Sequence, residues 1–180
     1  MNKKCLGCGI TLQTTNKDEL GYTPKIDNDY CERCFKITHY SIDNKKILFD
    51  NNDLINKINK MNIFTCYLVD FFYISNEVLS MYQRITNPKC LIITKKNLIP
   101  KNIYPEKIIK RVKTNYGIKE PIYFINLNED INIIRNLFLE KKKVIVSGYT
   151  ISGKSTLINT VLNTNLTISK NISTTLDFIK

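Results

Sequence analysis

The 180-residue chain has no run of about 18 apolar residues, the length a membrane-spanning helix requires. Its first residues, MNKKCLGCG, lack the apolar core of a secretory signal and run straight into a cysteine motif. It has one histidine, His39, and no arginine-rich tract. Acidic residues are the scarcer charge, 16 against 27 basic ones. The first two absences argue against membrane-spanning and secreted classes, and a soluble cytoplasmic protein with no membrane partner is expected. The third leaves thiols as the main candidate metal donors. The excess of basic residues, +11 overall, reads either as an electrostatic footprint for RNA or another polyanion, or as a coding bias toward Lys, Asn and Ile.

Six cysteines are present, and they fall into two kinds. Cys5 and Cys8 in CLGC, and Cys31 and Cys34 in CERC, form two C-x-x-C turns separated by 22 residues. Each such turn lets two thiolates converge on one ion, so two turns complete a tetrahedral four-cysteine zinc site. Redox motifs or disulfides fit less well, because the compartment is reducing and neither motif lies in a βαβ context. Gly7 and Gly9 relax the first turn, and GYTP and DNDY read as turns of a small zinc ribbon. So short a segment cannot fold on its own apolar core, and metal binding is expected to supply its stability. Four thiolates on one Zn2+ leave a charge of −2, which lowers the chain from +11 to +9. Cys66 and Cys90 lie in apolar runs and read as core thiols. His39, five residues after Cys34, is expected to be exposed or to face RNA.

Residues 1–42 form the expected zinc module and 43–180 a second domain, with SIDNKKILFDNND as a polar connector. Beyond it, short apolar runs alternate with amphipathic ones. Strands are predicted at 62–72, 89–94, 121–126 and within KKVIVS. Ser75 caps a predicted helix reaching about Arg84, and Pro105 opens another that Gly117 ends. Ile131, Ile134, Leu137 and Phe138 make a third helical face, and a fourth helix runs from Lys154 to about Asn163. TTLDFIK resembles the start of a strand. The alternation predicts an α/β fold with a parallel sheet covered by helices on both faces. Asp70, at a strand end, reads either as orienting a nearby loop or as a turn cap. Phe71, Phe72 and Tyr73 read as core and strand-edge packing.

GYTISGKS, residues 148–155, is a G-x-x-x-x-G-K-S phosphate loop between a strand pattern and a helix pattern. Gly148 allows a sharp turn, and Gly153 lets backbone approach a phosphate. Successive amides and the helix N-terminus favour an anion. Lys154 reaches the β- and γ-phosphates, Ser155 offers its hydroxyl to Mg2+, and Ser152 and Thr156 complete the nucleotide-facing set. Only 25 residues follow Ser155, so the supporting sheet must come earlier in the chain.

That order of parts, with CLGCGITLQT, GYTPK, CERCFKITHY, LIPK and GYTISGKSTLIN at their places, resembles the circularly permuted GTPases of the YqeH type over nearly the whole chain. The resemblance implies a P-loop GTPase-like parallel sheet in permuted order behind a four-cysteine zinc ribbon. It further implies GTP or GDP, Mg2+ and Zn2+ as cofactors, and a role in small ribosomal subunit assembly with rRNA or the pre-subunit as partner. By it the guanine motif falls on Thr94, Lys95, Lys96 and Asn97. The threonine that closes over γ-phosphate and Mg2+ falls on Thr174 or Thr175, with Thr175 preferred. A basic zinc module would suit RNA or a ribosomal protein.

The chain departs from that pattern at several positions. Asn97 replaces an Asp that accepts two hydrogen bonds from guanine, which favours a ring with a carbonyl at C2, such as xanthine. Thr94 replaces Asn, Ile151 replaces a potassium-binding Asn, Asn126-Leu127 replaces Ser-Ala, and Ser173 replaces Gly. No D-x-x-G segment follows residue 155. The resemblance thus implies a C-terminally truncated G domain; slow or absent GTP hydrolysis is expected, and no residue is given a catalytic role. The competing reading is a non-hydrolysing zinc protein that binds RNA or the ribosome beside a vestigial nucleotide pocket. A zinc-bearing kinase would place its phosphate loop first and its zinc later, opposite to this chain.

Overall fold

A computed structural model describes residues 3–40, 51–149 and 151–162. The chain divides into two compact units, with residues 3–40 in the first and 51–157 in the second. Among the described residues, no helix is long and apolar enough to cross a membrane.

In the second unit the apolar runs become four parallel strands: β1 (Phe64–Asp70), β2 (Lys89–Thr94), β3 (Ile122–Phe124) and β4 (Val144–Gly148). Their order is β3-β2-β1-β4. The two inner strands are buried almost end to end, from Thr65 to Asp70 and from Cys90 to Thr94. Covering on both faces is what makes such strands continuous apolar runs rather than alternating ones. Cys66 and Cys90 face each other in register, fully buried, with sulfurs 3.5 Å apart. The chain steps outward from β1 through β2 to β3, then returns to place β4 on the other side of β1. The strand order therefore reverses at β1, and such a reversal opens a crevice at the carboxyl ends of the strands.

Local chemistry explains the helix boundaries. The Ser75 hydroxyl accepts from the Val78 amide at 3.3 Å and starts α3 (Asn76–Gln83). Pro105 opens α4 (Pro105–Tyr116), and Gly117 closes it in the left-handed conformation at φ 64°. α5 (Ile131–Lys141) buries Ile131, Ile134 and Leu137, and α6 (Lys154–Leu162) follows the glycine loop.

Three expectations need correction. The polar connector gives way at Asn51 to a helix, α2 (Asn51–Met61), which buries only Ile55 and Ile58. It is fastened to the segment before β2: Asn87 Nδ2 donates to the Ile58 carbonyl at 2.9 Å, and the Thr86 backbone amide donates to Asn59 Oδ1 at 3.0 Å. Next, β1 stops at Asp70, where the carboxylate accepts from the Phe72 amide at 3.0 Å and turns the chain into a 3-10 turn, Phe71–Tyr73. Phe71 still stacks on Phe124, 5.3 Å between centroids, but Phe72 and Tyr73 are 59% and 52% exposed rather than packed. Finally, among the described residues the four-cysteine module is built on turns rather than on regular strands. Residues 3–40 hold turns, two isolated bridges (Lys4–Thr11 and Gln13–Tyr22) and a helix, α1 (Glu32–Tyr40), that starts inside the second C-x-x-C motif. The strand predicted from TTLDFIK lies outside the described residues.

Candidate functional site

Two sites are built from these elements, one in each unit. In the first unit Cys5, Cys8, Cys31 and Cys34 are all buried, and their sulfurs lie within 4.8 Å of one another. Cys8 Sγ stands 3.8 Å from Cys31 Sγ. That equals the sulfur–sulfur edge of a tetrahedron with metal–sulfur bonds of about 2.3 Å. Backbone amides point at the sulfurs, Cys31 N to Cys5 Sγ at 3.2 Å and Cys34 N to Cys31 Sγ at 3.5 Å. Besides the cysteines, Leu12 and Ile37 are the buried apolar side chains of residues 3–40. With so little apolar burial, the cysteine cluster is itself the core of this unit. Hydrogen bonds, first from Cys31 and then from Cys34 and Cys8, hold the Cys5 thiol below the usual range, while Cys34 is pushed up, first by its hydrogen bond with Cys31. Without a cation the set splits in this way, because four thiolates so close repel one another. A divalent ion lets all four ionise. The four cysteines are thus placed to bind a metal ion, and the donor set fits Zn2+. His39 is exposed and stands against Phe35, 4.4 Å between ring centroids, as a non-ligand.

The second site lies at the carboxyl ends of the strands. Gly148 closes β4 at φ 145°, and a Cβ there would stand 2.0 Å from the carbonyl oxygen of Leu68 in β1. Gly148 is thus required by its contact with the neighbouring strand, a stronger constraint than the sharp turn expected of it. Gly153 has φ 87°, and its Cβ would lie 3.2 Å from Leu127 Cδ1. Ile151 is also left-handed, at φ 64°, an unusual state for a β-branched residue and a mark of local strain.

Lys154 Nζ donates to the carbonyls of Gly148 at 3.0 Å and Tyr149 at 2.7 Å. The stem is partly exposed, but the ammonium is turned inward, and burial brings its pKa down to about 8. The Ser152 hydroxyl is buried and has no hydrogen-bond partner among the described residues. Leaving such a group unmatched costs about 1–3 kcal/mol, so the loop suits a ligand rich in acceptors. Ser155 and Thr156 are half-buried in the first turn of α6.

Three other segments meet this loop or one another. Thr94 Oγ1, at the end of β2, donates to the Ser152 carbonyl at 3.1 Å and lies 3.4 Å from the Val69 carbonyl. Thr94 therefore ties the glycine loop to the two central strands. Lys95 sits left-handed at φ 67°, with its ammonium 2.5 Å from Asp70 Oδ2. Asp70 thus serves both roles read for it, capping a turn and orienting a loop. Lys96 pairs with Asp130 at 2.9 Å, and Asp130 also accepts from the Asn126 amide at 2.8 Å. Burial acts to raise the Asp130 pKa, but the Lys96 and Asn126 hydrogen bonds outweigh it and the carboxyl is lowered. Asn97 is exposed in the short 3-10 turn Lys96–Leu98. Thr174 and Thr175 lie outside the described residues. The sequence carried a signal for Asp70, a lone carboxylate ending an apolar strand, but none for Asp130.

No protein-family profile matches the chain. A curated relative does: the chain is 30% identical over 200 residues to "Uncharacterized protein YqeH" of Bacillus subtilis (strain 168), across 98% of its own length. It spans about half of that relative, 54%.

Proposed function

We propose that this chain belongs to the circularly permuted GTPases of the YqeH type and that the loop Gly148–Ser155 holds the phosphates of GTP or GDP with Mg2+. The observation that carries this reading is the Thr94–Ser152 hydrogen bond of 3.1 Å. It joins the glycine loop to the 94–97 turn at the point where the strand order reverses, so a nucleotide with phosphates on the loop has the 94–97 and 126–127 segments within reach of its base. Gly153 leaves room for the phosphates, the Ser152 hydroxyl and loop amides donate, and Lys154 exchanges its two carbonyls for phosphate oxygens. Ser155 would hold Mg2+, with Thr175 as its second protein ligand. Mg2+ would screen the phosphate charge. The permuted order is supported by β1, β2 and β3 preceding the loop in the chain. Zn2+ would be held by the four cysteines of the first unit. The wider role proposed is in small ribosomal subunit assembly, with rRNA or the pre-subunit as partner. Binding is proposed rather than turnover.

A second reading, a zinc protein that binds RNA while its nucleotide pocket is vestigial, draws support from Asn97. An amide there sets a donor against a guanine donor and weakens guanine binding by roughly tenfold to a hundredfold. Titration of the zinc-loaded chain with labelled GTP, GDP, XTP and ATP in Mg2+ separates the two. The nucleotide reading expects binding that Lys154→Ala removes, XTP ahead of GTP, and a reversal of that preference in Asn97→Asp. Binding of none of the four would overturn it in favour of the second reading.

A further inference from the structure

We propose that a groove between the 3-10 turn Phe71–Tyr73 and α4 is a binding site for single-stranded RNA. The groove, about 360 Å³ in volume, is lined by Phe71 and Ile74 from the turn side and by Ile103, Ile108 and Val112 from the other, with Arg111 also in its lining. Three aromatic rings stand beside these walls in the chain and face solvent: Phe72, Tyr73 and, at 63% exposed, Tyr104. Phe72 meets Phe71 edge to face, 5.2 Å between centroids, and leaves its other faces to solvent.

The charge lies on the same stretch. Residues 95–119 carry eight basic side chains and one acidic, Glu106. Lys95 and Lys96 are paired with Asp70 and Asp130. Lys101, Lys107 and Arg111 form no ion pair among the described residues, and Lys107 stands 5.2 Å from the Tyr104 ring centre. On α4, Arg111 lines the groove and Lys107, one turn before it, falls at the edge of that face, whereas Lys110 and Lys113 fall farther round the helix, away from the lining residues. The metal-binding unit is a poorer polyanion surface than the sequence suggested. Residues 3–40 hold six basic and five acidic side chains. Lys3 is paired with Asp29 and Lys36 with Glu32. Four thiolates with Zn2+ would add −2, leaving that unit slightly negative.

Free cations beside exposed rings and an apolar trough match a chain that alternates phosphates with flat bases. An acidic peptide would satisfy the cations but leave the rings without planar partners, and a purely apolar peptide would leave Arg111 without a counter-charge. The inference deepens the RNA partner of the reading above and does not depend on nucleotide binding.

The test uses the zinc-loaded chain with a fluorescein-labelled 12-nucleotide single-stranded RNA, a duplex of the same sequence, and a peptide of alternating Glu and Leu. Phe72→Ala/Tyr73→Ala should weaken single-strand binding at least tenfold, through lost stacking. Lys107→Gln/Arg111→Gln should weaken it similarly and make the salt dependence shallower by about 1.4 in log–log slope, for two phosphate contacts on a single strand. Lys110→Gln/Lys113→Gln, with the same loss of charge behind α4, should change affinity less than threefold. Equal losses in the two charge variants, or none in the aromatic variant, would overturn the groove while leaving the RNA partner standing. Tighter binding of the peptide than of RNA would overturn the choice of ligand. No RNA binding at all would remove both the groove and the RNA partner. Circular dichroism confirms that each variant is folded.

Discussion

Lys154 gives the most direct reading of how the glycine loop works. Its ammonium lies inward on two carbonyls, and burial brings its pKa from the ordinary 10.5 to about 8. A fall of that size corresponds to about 3 kcal/mol of preference for the neutral amine. The sign follows from which state holds the proton. Between about pH 8 and 10.5 the unfolded chain keeps a proton that the folded chain has lost, so this residue's penalty is fully present at neutral pH and fades as pH rises through that window. A polyphosphate reverses the preference, because only the ammonium attracts it. With a pKa of about 8, the charged fraction falls about tenfold between pH 7 and pH 9. Affinity for Mg2+-triphosphate should therefore drop by nearly that factor, and at pH 9 binding should draw in close to one proton. Isothermal titration in buffers of different ionisation enthalpy measures both quantities. Lys154→Gln, run in parallel, subtracts the titration of the ligand itself and should show weak binding without this extra proton. Wild-type affinity unchanged from pH 7 to pH 9, or a proton uptake identical in the variant, would refute the assignment of Lys154 to the phosphates.

Metal removal should act locally: a chelator or Cys8→Ser is expected to abolish amide-exchange protection in residues 3–40 while β1 and β2 stay protected, and equal loss in both units would contradict the cysteine cluster as the core of the first unit alone. Two glycines separate torsion from collision. Gly117→Ala meets no atom within 4 Å and should cost about 1 kcal/mol for its left-handed backbone, whereas Gly148→Ala would drive a Cβ to 2.0 Å from Leu68 O. Urea unfolding of the second unit should show Gly148→Ala to be at least about 3 kcal/mol worse, in the range of severe core disruption, and equal costs would refute the close strand contact.

The parts of this fold that were legible in the sequence are those fixed by short-range chemistry. Ser75 at a helix start, Pro105 and Gly117 at the two ends of α4, and the apolar run of β2 each act within a few residues of where they stand. The four cysteines were legible for the same reason, because spacing within each C-x-x-C turn sets how the two sulfurs converge. What was hidden depends on residues far apart. α2 carries Leu54, Ile55, Ile58 and Met61 at helical spacing, so its pattern was present in the sequence though passed over beside the polar run before it; its fastening by Asn87 was not local. Phe72 and Tyr73 read as interior because they follow an apolar strand, yet a single hydrogen bond from the Phe72 amide to Asp70 turns the chain outward there. The Lys95–Asp70 pair joins the ends of adjacent strands 25 residues apart, and no local pattern announces it. The second constraint on Gly148 was hidden because the atom it must avoid belongs to β1.

The placement of β1 between β2 and β4 has a consequence for synthesis. As the polypeptide emerges, β1, β2 and β3 are available to pair before β4 exists, and until residue 144 is made one side of β1 has no hydrogen-bonding partner. That side belongs to FTCYLVD, a stretch buried from Thr65 to Asp70 in the finished molecule. Nascent chains halted there would carry a sticky open flank capable of capturing a strand from another molecule. Arrival of β4 seals that flank and, in the same movement, brings the glycine loop to its place.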